Sequence, residues 1–219
     1  MMVMDTFSAC VALGPLAIYL VMIGLVNLMP RPLVVNGTRE VIAMGLALSG
    51  LVVVGPMQLF MPEAAAARFG TMVWALLLGF YILCLMLAIL VVRPRLVVYN
   101  LTVDQLRGVL AEVANRIDHD NQWAGRALSL PQLRMHLVID SFVPMFNVTL
   151  TATSHGQSVA GWRRLESALR DALAGVPAAS RAHGLWLAMC GMMILIVLGF
   201  RVADDPQTIA RGIARMFTP

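Results

Sequence analysis

Four runs of apolar residues dominate the pattern of hydrophobic and polar positions along the chain. They cover residues 7–29, 41–61, 71–92 and 184–200. Because a helix rises about 1.5 Å per residue and a bilayer core is about 30 Å thick, about 20 apolar residues can cross it. The pattern predicts four transmembrane helices, three within residues 1–93 and the fourth within residues 183–219. A short amphipathic helix is expected after the last run, at residues 206–217.

The segment between the third and fourth runs, residues 94–182, has a different periodicity. A β-rich run, Leu96–Tyr99, precedes a capping box of Thr102 and Gln105, and apolar residues at helical spacing follow it. Alternating runs at 123–130, 133–140 and 146–153 predict three strands, and a second helix starts at Ser158. We expect an integral membrane α-helical protein with an inserted two-layer α+β domain. The predicted element order is β-α-β-β-β-α, with an antiparallel or mixed sheet.

Two segments outside the apolar runs resemble each other, RPLVVNGT at residues 31–38 and RPRLVVYNLT at residues 93–102. In each, Arg-Pro predicts the end of a helix and Leu-Val-Val predicts a short strand. Thr38 and Thr102 are the predicted N-caps of the helices that follow. Counting membrane crossings puts both segments on the same side. We therefore expect Leu33–Val35 to join or abut the sheet that contains Leu96–Tyr99.

Composition supports a membrane location. The chain is 59% hydrophobic and 13% charged, whereas a soluble domain carries about a quarter charged residues. All basic residues are arginines, which is typical of a GC-rich genome, and they are too scattered to predict nucleic-acid binding. Arginines near the ends of the runs place residues 94–182 in the cytoplasm and both termini opposite. The predicted location is the inner (cytoplasmic) membrane of a bacterium.

The sequence contains no catalytic, cofactor or metal signature, and we expect no cofactor. The cysteines lie in apolar runs without metal-ligand spacing. Asp118–Asp120, the densest polar cluster, is interpreted as a solvated turn after a helix. Ser129, His136 and Asp140 contain the residue types of a hydrolytic triad, but no nucleophile elbow surrounds any serine.

An apolar loop and a basic helix face are the candidate contact surfaces. The loop SFVPMF and the arginines that follow Trp162 could meet a partner or lipids. The candidate residues are Phe142, Val143, Met145, Phe146, Arg163 and Arg164. We expect a non-enzymatic membrane protein whose cytoplasmic domain binds or positions a protein partner, or self-associates, in contact with membrane lipids. The alternatives are a membrane enzyme or transporter with its site at the junction of helices and domain, and a lipid-sensing module.

Overall fold

A computed structural model describes residues 6–57, 72–142, 147–154, 156–178, 182–204 and 206–207. The chain divides into two compact units. The first, called here the helical unit, comprises Met1–Met22, Ile42–Ile89 and Leu187–Pro219. The second, called the sheet unit, comprises Ile23–Val41 and Leu90–Trp186.

The described residues form six α-helices and six strands. The helices are α1 (Thr6–Leu28), α2 (Gly37–Val52), α3 (Met72–Val91), α4 (Val103–Ile117), α5 (Val159–Leu173) and α6 (Ala182–Asp204). The strands are β1 (Leu33–Asn36), β2 (Arg95–Tyr99), β3 (Gln122–Ala124), β4 (Ala127–Leu130), β5 (Met135–Phe142) and β6 (Asn147–Ala152). A π-helical turn, Val53–Met57, continues α2.

Four of these helices, α1, α2, α3 and α6, are long and apolar enough to cross a membrane. The predicted runs match α1 and α3 within one residue at each end. Helix α6 is longer than the predicted 184–200, because it continues through Arg201 to Asp204. Of the predicted C-terminal helix, residues 208–217 lie outside the described residues.

Inside the helical unit, α2 and α3 pack through a small residue. A Cβ atom on Gly45 would lie 2.6 Å from a methyl carbon of Leu85. The hydroxyl of Tyr81 donates a 2.6 Å hydrogen bond to the carbonyl oxygen of Gly45. A phenol therefore finds a backbone acceptor in an otherwise apolar contact, which avoids the cost of an unpaired polar group.

The sheet is antiparallel, with strand order β1-β2-β6-β5-β4-β3. Strand β1, which lies between the first two apolar helices, pairs with β2, so that Leu33 is opposite Tyr99 and Asn36 is opposite Leu96. The two similar sequence segments are therefore neighbouring strands of one sheet. This confirms the prediction that Leu33–Val35 joins the sheet at Leu96–Tyr99.

An ion pair links β2 to the first turn of α2, within the sheet unit. A guanidinium nitrogen of Arg95 lies 2.8 Å from the carboxylate of Glu40, whose side chain is only 10% exposed. The Tyr99 hydroxyl lies 3.4 Å from the same carboxylate. The Arg95 side chain passes over Gly37, where a Cβ atom would overlap its Cγ. Only glycine leaves room for this approach.

Asparagine side chains satisfy the helix ends beside these strands. Helix α2 begins at Gly37, and the Thr38 N–H donates to Oδ1 of Asn36. The prediction of Thr38 as N-cap is therefore wrong, because Asn36, one of the best N-capping residues, takes that role. Asn100, whose φ is 64°, donates to the carbonyl of Val26 at 2.7 Å. It thus adds a side-chain donor to a carbonyl in the last turn of α1, which also accepts a 3.2 Å hydrogen bond from the N–H of Met29.

Helices α4 and α5 cover one face of the sheet, as predicted. Thr102 and Gln105 form the capping box of α4. The buried stripe of each helix packs in one hydrophobic core with the inward residues of the strands. From the helices this core includes Leu106, Leu110, Val113, Trp162, Leu165 and Leu169, and from the strands Leu96, Val98, Leu128, Leu137, Ile139 and Leu150.

The element order differs from the predicted one in two places. Residues 122–130 form two strands rather than one, because Gly125, with φ of 62°, starts a two-residue hairpin turn. The sheet also contains β1, which lies outside the predicted domain limits of 94–182. Residues 94–182 therefore supply five of the six strands, in the order β-α-β-β-β-β-α.

Candidate functional site

The candidate site is a groove of about 420 Å³ between the β4–β5 connection and the start of α5. Three consecutive residues of the connection and the first turns of the helix form its two walls. It is lined by Gln132, Leu133, Arg134, Ser158, Ala160, Gly161 and Arg164. We call it the docking groove.

The first wall is a 3-10 turn, Pro131–Leu133, held by a buried carboxylate. Asp118 has no exposed surface and accepts 3.0 Å hydrogen bonds from the backbone N–H groups of Asp120 and Gln132. The Asp120 carboxylate accepts a further bond from the Gln132 side chain. The interpretation of Asp118–Asp120 as a solvated turn is therefore wrong for Asp118, which anchors the wall from inside.

Arg134 closes the turn in a left-handed conformation, with φ of 52°. Its N–H donates to the carbonyl of Pro131 at 3.0 Å. A non-glycine residue with positive φ is uncommon and is maintained by the structure around it. Here the turn before it and the start of β5 after it fix the backbone from which the exposed Arg134 side chain extends.

The second wall is the beginning of α5, held by its cap and by Gln157. Ser158 is the N-cap and accepts a hydrogen bond from the N–H of Gly161. The Gln157 amide donates to the carbonyl of His136 at 2.6 Å and accepts from the indole N–H of Trp162 at 3.2 Å. Both ends of this amide are used, so the helix start is fixed to β5.

The two walls approach closely because residue 161 is glycine. A Cβ atom there would lie 2.6 Å from the Met135 sulfur and 3.3 Å from the carbonyl oxygen of Leu133. A larger residue would have to displace the buried Met135 side chain or push the first turn of α5 away from the β4–β5 connection. The groove is therefore shaped by backbone packing and internal hydrogen bonds.

The groove carries two arginines, Arg134 and Arg164, one on each wall. Both are exposed, and neither forms an ion pair with any acidic residue in the described part of the chain. Arg163, the neighbouring candidate, is also exposed but does not line the groove. The lining is therefore polar and positively charged, with Leu133 and the methyl group of Ala160 as apolar contacts.

The structure describes only some of the predicted contact residues. Arg164 lies in the groove, together with Arg134, which sequence reasoning missed. Phe142 ends strand β5, and its side chain is not among those described. Val143, Met145 and Phe146 lie outside the described residues. The contribution of the apolar loop to binding therefore stays a prediction.

The residues weighed for catalysis do not assemble. Ser129 and His136 are opposite each other on β4 and β5, but Asp140 is four residues further along the strand, about 13 Å away at 3.3 Å per residue. His119 is exposed, and Asp118 is occupied by backbone N–H groups. No three His, Cys, Asp or Glu side chains come together as a possible metal site within the described ranges.

Comparison with protein-family models, with curated proteins and with solved structures finds no match for this chain.

Proposed function

We propose that this chain is a multi-pass membrane protein whose α+β domain docks a protein partner in the docking groove, without catalysing a reaction. In this proposal the four apolar helices cross the inner membrane of a bacterium and the domain lies in the cytoplasm. Arginines such as Arg31 and Arg93, next to the ends of the first and third apolar helices, support this orientation.

The observation that carries the proposal is the pre-organised shape of the groove. Asp118 fixes one wall from inside, and Gln157 fixes the other. A concave surface that is already ordered binds at a lower entropic cost than one that must be ordered on contact. Its volume falls within the range of binding pockets, about 300–1,000 Å³, and is large enough for several side chains of a partner.

Site-specific photo-crosslinking in native membranes tests the proposal. A photoreactive amino acid at Gln132, in the groove wall, should form an adduct with a protein. The same residue at Glu112, on the exposed face of α4, should not. Filling the groove by Ala160→Trp should abolish the adduct, whereas Ala174→Trp, also exposed and at the other end of α5, should preserve it.

Four results would contradict docking at this groove. The adduct could persist in Ala160→Trp, it could form equally from Glu112, or only lipid could be attached at Gln132. The last result would favour the alternative of a lipid-sensing module. An unchanged set of membrane proteins bound to wild type and to Ala160→Trp would also reject the groove as the docking surface.

A further inference from the structure

We infer that the docking groove recognises a short acidic segment of the partner, whose carboxylates pair with Arg134 and Arg164. This inference rests on the proposed docking function and names the chemistry of the bound segment. It uses the charge of the groove, whereas the docking proposal uses its shape.

The lining consists mainly of hydrogen-bond donors. Each guanidinium has five N–H donors and no acceptor, and its planar fork fits a carboxylate with two parallel bonds. The amide of Gln132 and the hydroxyl of Ser158 add neutral donors, and the first turn of α5 adds partial positive charge. Carboxylate oxygens are acceptors only, so the two sets are complementary.

The charge balance of the groove leaves room for an anion. Glu166, the acidic residue nearest along α5, is already paired with Arg170. Asp120 touches the turn wall through its bond to the Gln132 side chain. The two carboxylates of the turn wall, Asp118 and Asp120, accept hydrogen bonds from within the wall. Both guanidinium groups are exposed and have no ion-pair partner among the described residues. Positive charge without a partner attracts acidic surfaces and speeds association with them.

The charge of the chain's own remaining segments makes them poor occupants. Residues 208–219 carry Arg211 and Arg215 and no acidic residue, and residues 143–146 carry no charge. Residues 1–5 contain a single carboxylate, Asp5, and residues 58–71 contain one acidic and one basic residue, Glu63 and Arg68. Neither segment has the two carboxylates needed to pair with both arginines. The acidic segment is therefore expected to come from another protein.

The groove also holds apolar contacts next to the arginines. Leu133 is half-buried in the turn wall, and Ala160, in the first turn of α5, is exposed. A segment in which acidic and apolar residues alternate would place its carboxylates on the arginines and its apolar side chains on these positions. Such a segment would be distinguished from a purely acidic one by its contact with Leu133.

The test measures binding of defined peptides to the purified full-length protein in detergent. The probes are a fluorescent peptide of alternating Glu and Leu and its counterpart with Gln at each Glu position. Arg134→Gln and Arg164→Gln should each weaken the acidic peptide about two- to five-fold, the effect expected of one exposed ion pair. Arg163→Gln, an adjacent arginine outside the groove, is the matched control and should leave binding unchanged.

The acidic peptide should bind more weakly at higher salt, because screening shortens the range of charge interactions. The Gln peptide should bind more weakly than the acidic peptide. Equal loss with Arg163→Gln would overturn the inference, as would equal affinity for the two peptides. Binding to phosphatidylglycerol vesicles that depends on Arg134 and Arg164, without peptide binding, would also overturn it. If the photo-adduct at Gln132 depends on the groove but the Glu and Gln peptides bind with equal affinity, only the acidic chemistry of the segment is refuted. The docking function is then retained.

Discussion

The ion pair between Glu40 and Arg95 gives the sharpest test of how the sheet unit is held together. The perturbation is Glu40→Gln, which removes the charge and keeps the shape of the side chain. It leaves Arg95 without its acidic partner, 2.8 Å away in the wild-type protein. It also leaves a guanidinium with one buried nitrogen, Nε, that already has no hydrogen-bond partner.

The expected loss of local stability follows from the burial of the Glu40 and Arg95 side chains. Breaking a fully buried pair costs about 3–5 kcal/mol, and breaking an exposed one about 0.2–1 kcal/mol. Here the Glu40 side chain is 10% exposed and that of Arg95 is 30% exposed, so water screens the pair in part. We expect a loss of about 1–3 kcal/mol in the local stability of the β1–β2 pairing.

Hydrogen exchange of the β1 and β2 backbone amides, measured by mass spectrometry on the full-length protein, reads out this local stability. The expected loss corresponds to exchange about 5- to 150-fold faster in Glu40→Gln. The matched control is Glu112→Gln, because Glu112 and Arg116 form a pair in which both side chains are 70% exposed. That substitution should change exchange by less than about threefold.

A double-mutant cycle separates the pair from its surroundings. If Arg95→Met and Glu40→Gln each lower protection, the double variant should lose less than the sum of the single losses. Exchange in β1 and β2 that is no faster for Glu40→Gln than for Glu112→Gln would refute the argument. Additive losses in the cycle would show that the two side chains act on the sheet separately.

Two further predictions concern the walls of the docking groove. Asp118→Ala should lower the free energy of unfolding by about 2–4 kcal/mol, because two backbone N–H groups lose a charged acceptor. Thermal unfolding in detergent measures this loss, and a loss no larger than that of His119→Ala, at the exposed neighbouring position, would contradict the prediction. Gly161→Leu should cost about 1–3 kcal/mol through overlap with Met135, and Ala160→Leu, whose position is exposed, should cost much less in the same assay. If Gly161→Leu and Ala160→Leu lowered the free energy of unfolding equally, the walls could separate without strain.

The sequence predicted those parts of the fold that depend on local pattern. About twenty consecutive apolar residues identified each long helix, and the Thr102–Gln105 pair marked the start of α4. The β1–β2 pairing was predictable because the two segments repeat the same residues after the same kind of helix. Such a repeat in the local sequence can indicate that two distant segments pair.

The features that were missed depend on contacts between distant residues or on one backbone angle. The hairpin at Gly125 divides residues 123–130, which were predicted to form one strand. Arg134 and Arg164 are thirty positions apart and line one groove because Gly161 lets α5 approach the turn. Asp118 looked solvated, since polar clusters after helices usually are. Its burial results from the later β4–β5 turn closing over it.

The position of β1 in the chain has a consequence for how the protein is made. Strand β1 leaves the ribosome about sixty residues before its partner β2, and the remaining strands follow later still. Closing so long a loop is entropically costly and is compensated only when the distant partner arrives. During synthesis β1 must therefore wait unpaired while two apolar helices are completed. A fragment of residues 94–182 would expose the edge of β2 that β1 covers, including the otherwise inaccessible Val97, and would tend to aggregate through it.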